Sequence, residues 1–176
     1  MDRLTGGFEQ TVLIHLDAAY NLARWLARNE HDAQDIVQEA YLRAFKAFDQ
    51  FRGGSSGDAR CWLLKIVRNT CFTWRSRSGG AGQTERFEED LHDPAIEVSN
   101  PLRILEQRDE TEMLRQAIDG LPAEFREVLI FRELEGLSYQ EISHVAGIPV
   151  GTVMSRLARA RERLSKALDA RLVKEA

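Results

Sequence analysis

Apolar residues recur at steps of three and four along much of the first 77 residues, which predicts amphipathic helices. The first apolar series runs from Phe8 to Ala23 and ends before the polar sequence NEHD at 29–32. Asp32 suits the N-cap of a second helix, which should end before the loop sequence FRGGSSGDA at 51–59. A third helix is expected over about 60–75. Aromatic residues on the inner faces would let three helices share one small core.

The helical pattern resumes at Leu102 and continues towards the C-terminus. Pro122 suits the first position of one helix, and Gly136 is expected to end it. Ser138 and Glu141 form the capping-box pattern S-x-x-E, so another helix should start at Ser138. Short alternating apolar runs bounded by turn residues are missing, which argues against strands.

A glycine turn separates that helix from the last one. Gly147 can adopt a left-handed conformation and so end the helix, and Pro149 is expected to begin the next. Val153 and Leu157 give this last helix an apolar stripe. Two short helices around a glycine turn, the second rich in arginine, are typical of a helix-turn-helix.

The segment 78–101 lacks helical periodicity and mixes glycines and prolines with acidic residues. Such a composition predicts a flexible acidic linker. The sequence therefore predicts an all-α fold with two small helical domains, residues 1–77 and 102–176, joined by that linker. The helix-turn-helix lies in the C-terminal domain.

Basic residues are concentrated in two places, although the formal charge of the chain is −4. Residues 59–78 hold five Lys or Arg and no acid, and residues 149–174 hold seven against two acids. The acidic excess lies over residues 79–112, with ten acids and three bases. Because local clusters set the attraction to phosphates, both basic segments are candidates for nucleic-acid binding.

Other classes of function find little support in the sequence. The four histidines are not spaced with cysteines as zinc ligands, and no glycine-rich phosphate loop or nucleophile–base set occurs, so no enzyme, metal or cofactor is expected. Cys61 and Cys71 lie ten residues apart on one expected helix, about 15 Å, which is too far for a disulfide. No apolar run reaches the roughly 20 residues of a membrane span, and no secretory signal is apparent, so a cytoplasmic protein is expected.

The start of the last helix carries hydroxyl and guanidinium groups suited to phosphates and guanine edges in a major groove. These residues are Thr152, Ser155, Arg156 and Arg159. Gly151 beside them would let the backbone approach DNA closely. Basic residues later in the helix are expected to touch phosphates, namely Arg161, Arg163 and Lys166. A solvated arginine face is the alternative.

Two separate blocks of the sequence resemble the extracytoplasmic-function group of bacterial sigma factors. LPAEFREVLIFRELEG followed by LSYQEISHVAGIPVGTVMSRLARARERL is similar to the fourth-domain region of that family. DAQDIVQEAYLRAFKAFDQFRG and WLLKIVRNTC are similar to its second-domain motifs. The resemblance implies a protein that binds core RNA polymerase, directs it to promoter DNA and helps to melt the −10 element.

The resemblance also implies roles for particular residues. The last helix would read the −35 element through Thr152, Met154, Ser155, Arg156, Arg159 and Arg163. The third helix would contact the −10 element through Trp62, Lys65, Arg68, Asn69 and Arg75. The outer face of the second helix would dock on core polymerase through Asp35, Gln38, Glu39, Leu42 and Lys46. The family often has a basic residue where Met154 stands and a bulkier one where Ala158 stands, so the −35 sequence should differ.

Two further implications concern the linker and regulation. The linker would thread through polymerase channels, where Glu88, Glu89 and Asp90 could mimic nucleic acid, and an anti-sigma factor would hold the protein inactive. From the residues alone, purely structural roles remain open as alternatives. The linker could be a simple spacer, the outer face of the second helix could be solvated, and Trp62 could be a core residue. A stand-alone helix-turn-helix regulator that dimerises on DNA without polymerase is the competing function.

Overall fold

The computed structural model describes the backbone of residues 2–27, 29–77 and 101–175. The N-terminal module, residues 2–77, contains α1 (Asp2–Thr11), α2 (Leu16–Ala27), α3 (Glu30–Ala47) and α4 (Ser56–Arg77). A 3-10 turn at Leu13–His15 joins α1 to α2, and another at Phe48–Gln50 extends α3. The C-terminal module, residues 101–175, contains α5 (Pro101–Asp119), α6 (Ala123–Leu129), α7 (Tyr139–Ala146) and α8 (Val150–Glu175).

The first apolar series forms two helices rather than one. The chain turns at Val12, whose side chain is completely buried. The Val12 carbonyl accepts hydrogen bonds from the His15 amide at 3.1 Å and from the Tyr41 hydroxyl of α3 at 3.3 Å. Burial raises the pKa of Tyr41 to about 12, so its hydroxyl remains a donor. A tertiary hydrogen bond therefore helps to set the break between α1 and α2.

The start of α3 differs from the expectation. Asn29, and not Asp32, is the N-cap, because the Asn29 side chain accepts a hydrogen bond from the Asp32 backbone amide at 2.8 Å. The Asp32 carboxylate in turn accepts one from the Asn29 side-chain amide at 2.7 Å. Both residue types can cap a helix, and this reciprocal pair places Asp32 inside the first turn.

Helix α4 is longer than expected at both ends, so the loop before it shortens to residues 51–55. The Ser55 hydroxyl accepts a hydrogen bond from the Asp58 amide at 3.1 Å, and the Asp58 carboxylate accepts one from the Ser55 amide at 3.1 Å. The Ser55 hydroxyl also donates to the Asp58 carboxylate at 2.8 Å, and this bond together with the one from the Ser55 amide holds the pKa of Asp58 below its ordinary value. The pair acts as a capping box with aspartate in place of glutamate.

The helix-turn-helix formed by α7 and α8 is confirmed. The Ser138 hydroxyl accepts from the Glu141 amide at 3.2 Å, and the Glu141 carboxylate accepts from the Ser138 amide at 2.7 Å, which completes the capping box. Gly147 ends α7 with a φ of 68°. Pro149 precedes α8 and accepts from the Thr152 amide at 2.9 Å, so it caps the helix and is not its first residue.

Two other boundary residues of the C-terminal module behave in similar ways. Pro122 is the N-cap of α6, one position before the expected first helical residue. A π-helical turn, Ile130–Leu134, extends α6, and Gly136 follows it with a φ of 65°. Both residues therefore stand at helix ends. Proline favours the start of a helix because its φ is fixed and it has no N–H, and glycine favours the end because it tolerates a positive φ.

The two modules pack directly against each other, with α4 of the N-terminal module on α7 of the C-terminal module. One cluster of buried apolar residues runs through both, from Leu63 and Leu64 to Ile142 and Val145. The described residues contain helices and no strand, which confirms the all-α fold. The expected linker, with Glu88, Glu89 and Asp90, lies outside the described residues apart from Pro101. No helix in the described part of the chain combines the length and apolar character that membrane crossing requires.

The two cysteines of α4 are both buried and both unpaired, as expected. Burial raises the pKa of Cys61 to about 11 and that of Cys71 to about 12. Because the thiolate is the reactive form, both residues are poor nucleophiles at neutral pH.

Candidate nucleic-acid and protein interfaces

Helix α8 presents an open face near its N-terminal end. Met154 is 53% exposed, and Ser155 and Arg159 are exposed beside it. One turn earlier, a Cβ added to Gly151 would meet no atom within 4 Å. The first turn of a helix also offers backbone amides to anions. This part of α8 can therefore approach a phosphate or a base edge without rearrangement.

Two other −35 candidates, Arg156 and Arg163, lie on the flank of α8 that turns towards α6, and Thr152 lies one turn before Arg156. The Arg156 side chain is 24% exposed, and its guanidinium lies 3.6 Å from the Glu124 carboxylate and 3.7 Å from that of Glu127. The Arg163 guanidinium lies 4.8 Å from the centre of the Phe125 ring. Arg156 and Arg163 therefore contact side chains of α6, whereas Met154, Ser155 and Arg159 lie on the open face.

The −10 candidates also occupy two faces of α4. Trp62, Lys65 and Asn69 follow steps of three and four and share one face, whereas Arg68 and Arg75 are seven apart on a neighbouring face. Asn69 is exposed and Lys65 is half-buried. The half-buried Trp62 ring lies 5.0 Å, centre to centre, from the Phe51 ring. Trp62 therefore has a packing role whatever else it contacts.

The Arg68 guanidinium is held by the C-terminal module. Its Nε donates to the Glu127 carboxylate at 2.7 Å, and its Nη2 donates to the same carboxylate at 3.1 Å. The Arg68 side chain is 17% exposed and that of Glu127 only 2%. The Phe72 ring packs on the guanidinium, with 4.6 Å between their centres. Two-point arginine–carboxylate pairs of this kind are directional, so Arg68 is committed to Glu127 in this arrangement.

Other contacts cover the same side of α4. The Arg60 guanidinium donates to Glu135 at 2.5 Å, and the Cys61 thiol donates to Glu141 at 3.6 Å. Burial raises the pKa of Glu135, and Arg60 opposes that shift. Three polar side chains of α4 that face the C-terminal module thus each have a carboxylate partner there. The carboxylates come from α6, from the residue after the π-helical turn and from α7.

The outer face of α3 carries all five candidates for polymerase docking, which are Asp35, Gln38, Glu39, Leu42 and Lys46. Leu42 is 57% exposed, a large fraction for a leucine. Glu39 accepts a hydrogen bond from Arg43 Nε at 2.8 Å, which holds its carboxylate beside the leucine. Phe45 is 49% exposed next to Leu42 while its ring packs edge-on against Phe8 at 5.3 Å. The face combines an apolar centre with charged neighbours, as protein interfaces do.

Sequence reasoning missed Phe45, Glu127 and Glu135. Phe45 lies three residues after Leu42, so helical spacing could have placed it on the same exposed face. Glu127 stands within an unbroken buried run from Phe125 to Phe131, a position that calls for a cationic partner. The sequence does not say which cation meets it, because that partner is 59 residues away.

Comparison with known families follows the same division into modules. Residues 12–80 match the family described as Sigma-70 region 2, and residues 111–164 match Sigma-70, region 4. The chain is 35% identical over 157 residues to the ECF RNA polymerase sigma factor SigE of Mycolicibacterium smegmatis, covering 89% of this chain and 60% of the relative. It is 37% identical over 139 residues to the ECF RNA polymerase sigma-E factor of Escherichia coli, covering 74% of this chain and 71% of the relative.

Solved structures show the same likeness across both modules. The sigma factor RpoE of Bartonella quintana, solved with the anti-sigma factor NepR, has a TM-score of 0.72 and 29% identity, covering 93% of this chain and 97% of RpoE. CnrH, solved with the cytosolic domain of CnrY, has a TM-score of 0.64 and 26% identity, covering 94% of this chain and 90% of the matched chain.

Proposed function

Because the chain belongs to the extracytoplasmic-function (ECF) group of RNA polymerase sigma factors, we propose that it binds core RNA polymerase and directs it to promoters. The observation that carries this proposal is that one chain holds both matched regions, each with an exposed face of suitable chemistry. The chain spans 60% of the mycobacterial relative, so the activity of a whole relative is extended here as a proposal. RNA synthesis itself would then be catalysed by the polymerase.

The open face of α8 is proposed to read the −35 element. Met154, Ser155 and Arg159 would face the major groove, where arginine can bond guanine and serine can bond a phosphate or base. The flanking candidates Thr152, Arg156 and Arg163 would support this surface or reach the adjacent phosphates. The apolar Met154 gives this surface a contact for a thymine methyl group, so the preferred −35 sequence should reflect it.

The exposed face of α4 is proposed to contact the −10 element once its strands separate. Trp62, Lys65 and Asn69 combine an aromatic ring, a cation and an amide, which suit stacking, phosphate attraction and base hydrogen bonds. Arg68 and Arg75 on the neighbouring face would add phosphate contacts. Because Arg68 is paired with Glu127, its contribution requires that pair to separate.

The outer face of α3 is proposed to dock on core polymerase, with Leu42 and Phe45 at its apolar centre. Asp35, Gln38, Glu39 and Lys46 surround that centre.

Domain limits are proposed at residues 1–77 and 102–176, with 78–101 as the acidic linker. The linker would lie in a polymerase channel, with its carboxylates in place of nucleic acid. An anti-sigma partner is also proposed, because RpoE was solved in complex with the anti-sigma factor NepR and CnrH in complex with the cytosolic domain of CnrY.

Reconstituted transcription tests the proposed function. Core polymerase with the purified chain and genomic DNA should yield transcripts from defined start sites, and core alone should not. Retention of the chain by immobilised core polymerase should accompany this activity. If the chain instead protected palindromic DNA as a dimer and ignored core polymerase, it would be a stand-alone regulator and the proposal would be wrong.

The docking face can be tested by a matched pair of double variants. Glu39→Ala with Leu42→Ala should weaken binding to core polymerase by about tenfold or more, because a central interface leucine and its charged neighbour are lost. Glu110→Ala with Leu114→Ala removes one exposed glutamate and one exposed leucine from α5 and serves as the control. Equal losses of core affinity in both double variants would show that α3 is not a specific docking face.

A further inference from the structure

One buried carboxylate contacts an arginine from each of the two helices proposed to read the promoter. Glu127 accepts two hydrogen bonds from Arg68 of α4, at 2.7 and 3.1 Å, and lies 3.7 Å from Arg156 of α8. Its side chain is only 2% exposed, so water cannot readily replace either partner. Glu127 is part of α6 and has no proposed contact with DNA or polymerase.

The contacts around Glu127 form a specific interface and not a loose association of two modules. Arg60 pairs with Glu135, whose side chain is 4% exposed, and Cys61 contacts Glu141 of α7. The buried apolar cluster continues between these polar contacts, through Leu64 and Ile142 among others. The ion pairs Arg60–Glu135 and Arg68–Glu127 both join a cation of α4 to a carboxylate of the C-terminal module.

We propose that these contacts form an intramolecular latch, with Glu127 at its centre, that holds the chain in a closed state unable to grip both promoter elements at once. The inference rests on the proposed function, because it assumes that α4 and α8 bind separate elements. In the closed state Arg68 is committed to Glu127, and the side of α4 that carries it is covered. The open face of α8 remains available.

The distance between promoter elements makes closure and full promoter binding incompatible. Elements centred near −35 and −10 lie about 25 base pairs apart, or about 85 Å along B-form DNA. Each module of about 75 residues has a radius of gyration of about 11 Å, so modules in contact have centres about 30 Å apart. The 78–100 segment can extend to about 80 Å, which is long enough to connect modules that have separated.

The sharing of Glu127 between two arginines gives the latch a way to open without leaving a buried charge alone. When α4 withdraws Arg68, the guanidinium of Arg156 is already 3.7 Å from the same carboxylate. Arg156 belongs to the same module as Glu127, so this contact survives separation. An unpaired buried carboxylate would strongly oppose opening, whereas an exchange of partners does not. Opening then releases Arg68 to bind phosphate.

Small-angle scattering of the full chain tests the latch without using DNA or polymerase. Glu127→Gln keeps the shape of the side chain and removes its charge, so the modules should separate and the radius of gyration should rise by about 5 Å. Glu133→Gln is the matched control, because Glu133 pairs with Arg161 inside the C-terminal module. An unchanged radius in Glu127→Gln, or a wild-type chain that is already as extended, would overturn the proposal.

If Glu127→Gln fails to fold, a charge exchange at the Arg60–Glu135 ion pair tests the latch instead. Arg60→Glu and Glu135→Arg should each expand the chain by repulsion, and the double exchange should restore the compact radius. Circular dichroism would verify that each variant keeps its helices. Two expanded single variants with an equally expanded double variant would contradict a latch made of specific pairs.

Binding to core polymerase tests whether the closed state limits function. If the closed state is about tenfold more populated than the open one, Glu127→Gln should bind core about tenfold more tightly than wild type, and Glu133→Gln should not. Expansion of Glu127→Gln without tighter binding would refute the latch as a functional restraint. Failure of every variant to bind core would refute the proposed function, while the scattering result would still decide whether the latch exists.

Discussion

Arg159 of α8 and Arg68 of α4 are the same residue type with the same kind of proposed role, but they lie in opposite environments. Arg159 is exposed on the open face of α8, about two turns after Gly151. Arg68 has a 17% exposed side chain and donates two hydrogen bonds to a buried carboxylate of the other module. Arg159 is therefore accessible for its proposed contact with DNA, whereas Arg68 would first have to leave Glu127.

This difference shows that a basic cluster in the sequence is not yet a binding surface. Both clusters satisfy the same rule about local positive charge. The cluster on α8 presents Arg159 to solvent, whereas Arg60 and Arg68 of the cluster on α4 form ion pairs with the C-terminal module. The regulation of such a protein can therefore act on the contact between its modules as well as on the binding faces.

The sharpest test of this comparison contrasts two arginines of α8. In the assembled holoenzyme, Arg159→Ala should weaken −35 binding by about 1–3 kcal/mol, because an exposed arginine can form a two-point contact with guanine. Arg156→Ala should cost less, since its guanidinium is already used by Glu124 and Glu127. Competition binding with promoter and mutant −35 DNA measures both, and a larger loss for Arg156 would reverse the assignment of the two faces.

A second test concerns the exposed face of α4. Asn69→Ala should weaken formation of the open promoter complex by about 1 kcal/mol, because one amide that can bond an unpaired base is lost. Asn21→Ala removes an exposed asparagine from α2 and should leave the complex unchanged. Permanganate reactivity of thymines in the −10 element reports strand opening. Equal reactivity in both variants and wild type would remove Asn69 from the −10 surface.

A third test weakens α7, the helix of the C-terminal module that packs on α4, and leaves α4 itself unchanged. Ser138→Ala removes the N-cap of α7 and should lower the free energy of unfolding by about 1 kcal/mol. Ser165→Ala, at an exposed position inside α8, should change stability little. Urea unfolding followed by circular dichroism measures the difference. A loss as large for Ser165 as for Ser138 would mean that the cap contributes nothing particular.

The smallest expected effect is a dependence on pH at the same cap. Hydrogen bonds from Ser138 hold the pKa of Glu141 below its ordinary value of 4.5. Ionised Glu141 therefore stabilises the fold above about pH 4.5, and this contribution is lost as pH falls through the lowered value. The difference in unfolding free energy between wild type and Glu141→Gln should shrink on acidification. A difference that grows at low pH would contradict the proposed cap chemistry.

Local chemistry explains why much of the fold and part of the site could be read from the sequence. The capping box of Ser138 and Glu141 and the left-handed Gly147 involve residues close in the chain, so their pattern predicts the turn of the helix-turn-helix. The open residues Ser155 and Arg159 follow from their position early in an amphipathic helix. Asp32 was a less successful prediction, because Asn29 offers a competing cap three residues away.

The sequence by itself determined the all-α fold, the turn of the helix-turn-helix and the chemistry of each candidate face, since these depend on spacing and side-chain type. Only the tertiary structure decided that the Tyr41 hydroxyl bonds the Val12 carbonyl, where the first apolar series divides into two helices, and that Glu127 pairs with Arg68. Both contacts join residues far apart in the chain, 29 and 59 positions respectively. Whether a charged side chain binds a ligand or another part of its own chain depends on which surfaces packing brings together.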